Sequence, residues 1–208
     1  LLFLLPAGWL LFVPSPPIRK FPAEDQANGI NYYVFLPLML LFLIYVGAEA
    51  SFNGWIFTYT ITLFPGEMTI AGYLTSAYWG SLAVGRLLAI PISSRVGSWV
   101  MLLSSYLGCL LAIGLILIRP GSLIAVMVGT IGFGLSMASI FPTLLVFAER
   151  RMKVSGMVNG WLFGGAAVGG MIVPWFVGQL FEMVGPQSVM ITIGTILSIA
   201  FVILLIRR

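Results

Sequence analysis

The sequence contains no histidine, one cysteine and very little charge. Each scarcity excludes something. Without histidine the chain lacks the commonest general acid/base and the commonest metal ligand, so an enzymatic reading starts poorly. Cys109 stands alone inside an apolar run, so no disulfide framework and no thiolate metal centre can form within the chain. No metal and no cofactor are expected. Charged residues make up 8% of the 208, whereas a water-soluble domain of this size uses about a quarter. The net charge of +4 rests on ten basic and six acidic residues, too few for a nucleic-acid footprint.

What is present is apolar: 60% of residues are hydrophobic, which makes lipid the expected solvent. Apolar runs of spanning length recur between short, turn-rich breaks such as "FPGEMT", "SSRVGS" and "RPGS". They place helices near 33–62, 70–93, 98–118, 121–147, 155–180 and 187–206. Residues 1–13 are too few to span and read as the end of a truncated transmembrane helix. Residues 14–31, "PSPPIRKFPAEDQANGIN", are proline-rich and read as a linker. The expected organisation is therefore 1–13, 14–31 and a six-helix domain over 32–208, an all-α multi-pass membrane protein.

Loop charge sets the expected orientation. Arg19, Lys20, Arg95, Arg150, Arg151, Lys153, Arg207 and Arg208 fall on one side and only Arg119 on the other. That bias puts the 14–31 linker and the C-terminus in the cytoplasm.

Two ionisable residues lie well inside predicted spans. Glu49 sits in "YVGAEASFNGW", and Tyr45, Glu49 and Asn53 share a helical face with Phe42, Phe52, Ile56 and Thr60. Glu49 has three readings: a proton site, a hydrogen-bond acceptor for a polar solute, or a packing residue bonded to Arg86 or a hydroxyl. An intramembrane carboxyl with an amide one turn away suits a cavity wall better than an isolated bond, which favours function. Arg86 lies on a stripe with Thr75 and Trp79 and either approaches Glu49 or snorkels to the surface. Two stripes of small residues predict close helix packing. One is Ala125, Gly129, Gly132, Ser136, Ser139 and Thr143; the other is Gly156, Gly160, Gly164 and Ala167.

Six spans after a linker and a partial span resemble the C-terminal half of a major facilitator superfamily transporter. "YVGAEASFNGWIFTYTI" and "GSLAVGRLLAIP" are similar to its sodium-dependent glucose transporter-like and fucose permease-like branch. The resemblance covers essentially the whole chain. It implies a six-helix half of a twelve-helix bundle, partnered by the missing N-terminal half. It also implies secondary active transport of a small polar solute, with a sugar leading and a proton or sodium coupled.

By the same resemblance, helices seven and ten line the central cavity, which adds Phe133, Ser136 and Met137 to Tyr45, Glu49 and Asn53 as substrate-binding candidates. The family's loop motif survives as Arg95-x-Gly97, with Ile90 replacing its glycine and Ser94 its acid. The implied inner-gate partner of Arg95 is Glu149; the alternative is that both are solvated loop charges. Glu49 and Arg86 are the coupling candidates. The rival classes are a non-transporting half with a scaffolding or regulatory role, a multispan receptor and a membrane enzyme. Short loops argue against the receptor, and the lack of any cluster of acids or nucleophiles argues against the enzyme.

Overall fold

In a computed structural model, residues 31–152 and 155–207 are described. They form α1 (Tyr32–Leu63), α2 (Met68–Ser93), α3 (Ser98–Ile118), α4 (Leu123–Met137), α5 (Ile140–Glu149), α6 (Gly156–Val184) and α7 (Gln187–Ile206). The expected partial helix 1–13 and linker 14–31 lie outside the described residues. Because α4 and α5 are two parts of one rod, the architecture is a six-helix bundle. Five of its rods are long and apolar enough to cross a membrane by length and composition. The sixth, α2, carries Arg86 and a polar run, yet packs within the same bundle. The chain is an integral, multi-pass membrane protein.

The helix ends follow local chemistry. Asn31, Ser122 and Ser155 each cap a helix by accepting a hydrogen bond from a first-turn backbone N–H. The α1–α2 and α6–α7 turns use Gly66 and Gly185 at φ +98° and +103°, a region that side chains disfavour. The α4–α5 break at Ala138–Ser139 has a specific cause. Pro142 has no N–H to offer the carbonyl four residues back, and its ring crowds that carbonyl. Pro174 lies inside α6, which continues ten residues beyond it to Val184.

Glycines set the interhelix distances. Gly165 faces Met39, Gly169 faces the Leu43 backbone, Gly47 faces Val173, and Gly178 faces Trp55. Residue numbers rise together along this seam, so α1 and α6 run parallel at close range. The Trp55 indole ties them further, donating to the Pro174 carbonyl at 3.1 Å. Along α3, residues 116, 112, 108 and 105 meet 129, 132, 136 and 139 in antiparallel order. Ser105 and Ser139 close that zip with a buried 2.7 Å hydrogen bond. Gly134 and Gly85 bring α4 against α2.

The two predicted small-residue stripes therefore behave differently. The one in α4–α5 packs on α3, as its spacing implies. The stripe of Gly156, Gly160 and Gly164 meets nothing: a Cβ added at any of these would have no atom within 4 Å. The packing glycines of α6 are the neighbouring set, Gly165 and Gly169 with Gly178.

Candidate functional site

On α1, helical periodicity stacks Tyr45, Glu49 and Asn53 on one face. Tyr45 is buried, while Glu49 and Asn53 are half-buried. Nearby hydroxyls are committed to the helix itself: Ser51 donates to the Gly47 carbonyl and Thr60 to the Ile56 carbonyl, both at 2.7 Å. Glu49 therefore takes no support from them. The Tyr45 hydroxyl lies beside the Glu49 carboxyl without completing a hydrogen bond of good geometry. Arg86, on α2, is within electrostatic reach of Glu49, but among the described residues they do not close to the 4.0 Å of an ion pair.

Tyr78 joins this group from α2. Its ring lies 5.3 Å from Phe52 and 6.3 Å from Phe133, and Phe52 stacks on Phe133 at 4.2 Å. That aromatic packing fixes the Tyr78 hydroxyl in the interior, within the electrostatic reach of Glu49. The Tyr78 hydroxyl has no hydrogen-bond partner among the described residues, and that of Tyr45 has only the Glu49 carboxyl beside it. A buried hydroxyl left without a partner costs about 1–3 kcal/mol. The two phenols flank one carboxyl, a group of donors and an acceptor chemically suited to bonding water or a polar solute. The sequence singled out the neighbouring Trp79 instead of Tyr78. Tyr78 sits in register with Leu74 and Leu82, so its spacing reads as ordinary core; only the stack with Phe52 and Phe133 turns it toward Glu49.

The α4 candidates divide between two directions. Phe133 packs on Phe52 and Tyr78. Ser136 instead faces Gly108, and Met137 receives the Cys109 thiol at 3.8 Å, both toward α3. The structure thus gathers Tyr45, Glu49, Arg86 and Phe133 around Tyr78 and turns Ser136 and Met137 away. Asn53 stays with Glu49 through helix spacing. Arg95 and Glu149 are both exposed and do not form an ion pair. Among the described residues, no three acidic or thiol side chains converge as metal ligands would.

This arrangement has counterparts. Over 99% of the chain the bundle superimposes on a crystal structure of a major facilitator superfamily transporter, FucP, in the outward conformation, with a TM-score of 0.75 and 17% identity. In sequence it is 36% identical over 180 residues to sodium-dependent glucose transporter 1 of Xenopus laevis, covering 84% of this chain and 37% of that protein. It is 32% identical over 164 residues to human major facilitator superfamily domain-containing protein 4A, covering 77% of this chain and 32% of the relative.

The chain belongs to the major facilitator superfamily.

No protein-family model matches the sequence. The chain spans about a third of the length of these curated relatives and 52% of the superimposed structure, the extent of one half of the fold. Its superfamily is one of transporters and not of enzymes.

Proposed function

We propose that the chain is the C-terminal half of an ion-coupled secondary transporter for a small hydroxyl-rich solute, a sugar. The observation that carries this reading is the grouping of the buried Tyr45 and Tyr78 hydroxyls, the latter without a hydrogen-bond partner, beside half-buried Glu49. Carboxylate, amide and phenol groups give a sugar both donors and acceptors, and the Phe52–Phe133 stack supports their positions. The printed name of the Xenopus relative, a sodium-dependent glucose transporter, supports the same substrate class.

Transport is by alternating access, the missing N-terminal half rocking against this one across a midplane site. Tyr45, Glu49, Asn53 and Tyr78 contact the solute, while Glu49 and Arg86 couple its movement to a proton or sodium ion. Arg95 and Glu149 take part in the inner gate through the state in which the two halves close there. The 14–31 linker and the C-terminus are cytoplasmic.

Hexose uptake into proteoliposomes, with the twelve-helix parent and with sodium and proton gradients imposed separately, tests this. Glu49→Gln is expected to abolish gradient-driven accumulation while leaving sugar binding measurable. Tyr78→Phe is expected to weaken sugar binding about five- to tenfold, the loss of one hydrogen bond. Wild-type accumulation in the Glu49→Gln protein would return that residue to a packing role.

A further inference from the structure

Three helices meet at the ring of Phe141. Carried on the first turn of α5, it lies 5.5 Å from Phe42 and 5.8 Å from Tyr45 on α1, and 5.8 Å from Phe163 on α6. The contact with Tyr45 bears on the candidate site, because the Tyr45 hydroxyl stays beside Glu49 only while its ring keeps this orientation. A ring pair at such a separation biases the orientation by about two- to tenfold.

The helix that carries Phe141 has a pivot. α5 is ten residues long and begins after the break at Ala138–Ser139, where Pro142 leaves a backbone carbonyl unbonded. Ser139 itself is anchored to Ser105 of α3 by their 2.7 Å hydrogen bond. An anchor followed by a missing backbone bond lets α5 turn about Ser139 while α4 stays on α3.

Behind α5 there is room to turn. A cavity of about 280 Å³ opens between α2, α3 and α5, lined on α5 by Pro142, Thr143 and Val146 and on α2 by Ala89 and Ile90. At about 100° per residue, the three α5 positions lie about 100–200° around the helix from Phe141. The ring and the cavity are thus on opposite sides of α5. The volume is several times that of one water molecule, so α5 moving toward α2 enters open space rather than packed side chains. The same movement draws Phe141 away from Tyr45.

We propose that Phe141 is a positioning residue for the candidate site: its ring holds the Tyr45 phenol at Glu49, and a turn of α5 into the cavity withdraws the ring and frees the phenol. Its part in transport rests on the reading of Tyr45 and Glu49 as solute contacts. In that reading, motion of α5 loosens the grip on the solute.

Fluorine NMR of the chain in nanodiscs, with fluorotyrosine incorporated, tests the coupling without any substrate. Loss of one resonance in Tyr45→Phe assigns Tyr45. The resonance of Tyr59, bonded to Gln187 at 3.2 Å near the other end of α1, reports that each variant is folded. Phe141→Leu keeps most of the bulk without the ring and is expected to shift the Tyr45 resonance toward that of free fluorotyrosine. Ala89→Leu fills the cavity from α2 and is expected to keep that resonance in place with a narrower line, because α5 no longer moves. Phe181→Leu, an aromatic loss away from Tyr45, is expected to change neither. In the twelve-helix parent the same variants are expected to split the kinetics of hexose uptake. Phe141→Leu raises KM about two- to tenfold, whereas Ala89→Leu lowers the maximal rate about tenfold at unchanged KM. An unshifted Tyr45 resonance in Phe141→Leu would overturn the positioning role. An unchanged line in Ala89→Leu would overturn the movement into the cavity. No hexose uptake by the wild type would overturn the sugar reading alone, and the fluorine spectra would still decide the coupling of Phe141 to Tyr45.

Discussion

Two stripes of small residues look alike in the sequence and end in opposite environments. Gly129, Gly132, Ser136 and Ser139 form the inner wall of a helix contact, each level meeting a residue of α3. Gly156, Gly160 and Gly164 carry the same spacing and face open space. Small-residue periodicity therefore states how near another helix could come, and leaves open which helix, if any, does. The double glycines Gly164–Gly165 and Gly169–Gly170 are the signal that α6 has two such faces, about 100° apart. The fold uses the Gly165–Gly169 face for α1.

The difference can be broken at its most crowded point. A Cβ on Gly169 would strike the Leu43 carbonyl oxygen and lie 2.9 Å from the Leu43 Cα. Backbone cannot step aside as a side-chain tip can. Gly169→Ala is expected to destabilise by about 1–3 kcal/mol, exceeding the gain of under about 1 kcal/mol from alanine's helix preference. A lowered unfolding midpoint in mixed micelles checks this, and an unchanged midpoint would mean that α1 and α6 sit farther apart.

A smaller effect is expected at the packed stripe. Ser139→Ala removes one member of a buried hydrogen bond and strands the Ser105 hydroxyl, costing about 1–2 kcal/mol. Adding Ser105→Ala is expected to recover much of that loss, because the stranded group is gone. A double-mutant cycle on the same unfolding measurement reads the coupling. Additive losses would show that the serines act separately.

The smallest effect, and the opposite sign, is expected at the open stripe. Gly164→Ala meets no atom within 4 Å, so only the helix preference remains, a gain of about 0.5–1 kcal/mol. A loss of stability in the isolated chain would show that this face is covered. Repeating the substitution in the twelve-helix parent sharpens the comparison: a gain in the chain with a loss in the parent would locate the other half on α6.

Most of the fold was legible because lipid imposes simple rules on sequence. Length and apolar content marked the spans, and turn-rich breaks placed their ends to within a few residues at most junctions. The division of the span expected over 121–147 came from the structure, and its position follows from the carbonyl that Pro142 leaves unbonded four residues upstream. The candidate site was half legible. Tyr45, Glu49 and Asn53 lie on one helix, where a fixed rotation per residue is enough to align them. The α4 candidates came from a family resemblance that names a helix without giving its rotation, and Ser136 and Met137 prove to face α3.

The sequence by itself determined a membrane-embedded helical bundle, its resemblance to half of a transporter, and an intramembrane carboxyl that asks for a purpose. These depend on composition and on periodicity within single helices. Tertiary structure alone decided that Tyr78 joins Glu49 and that α6 turns Gly165 and Gly169 inward. Each of those depends on the rotation and depth of one helix against another, quantities fixed by close packing between residues far apart in the chain.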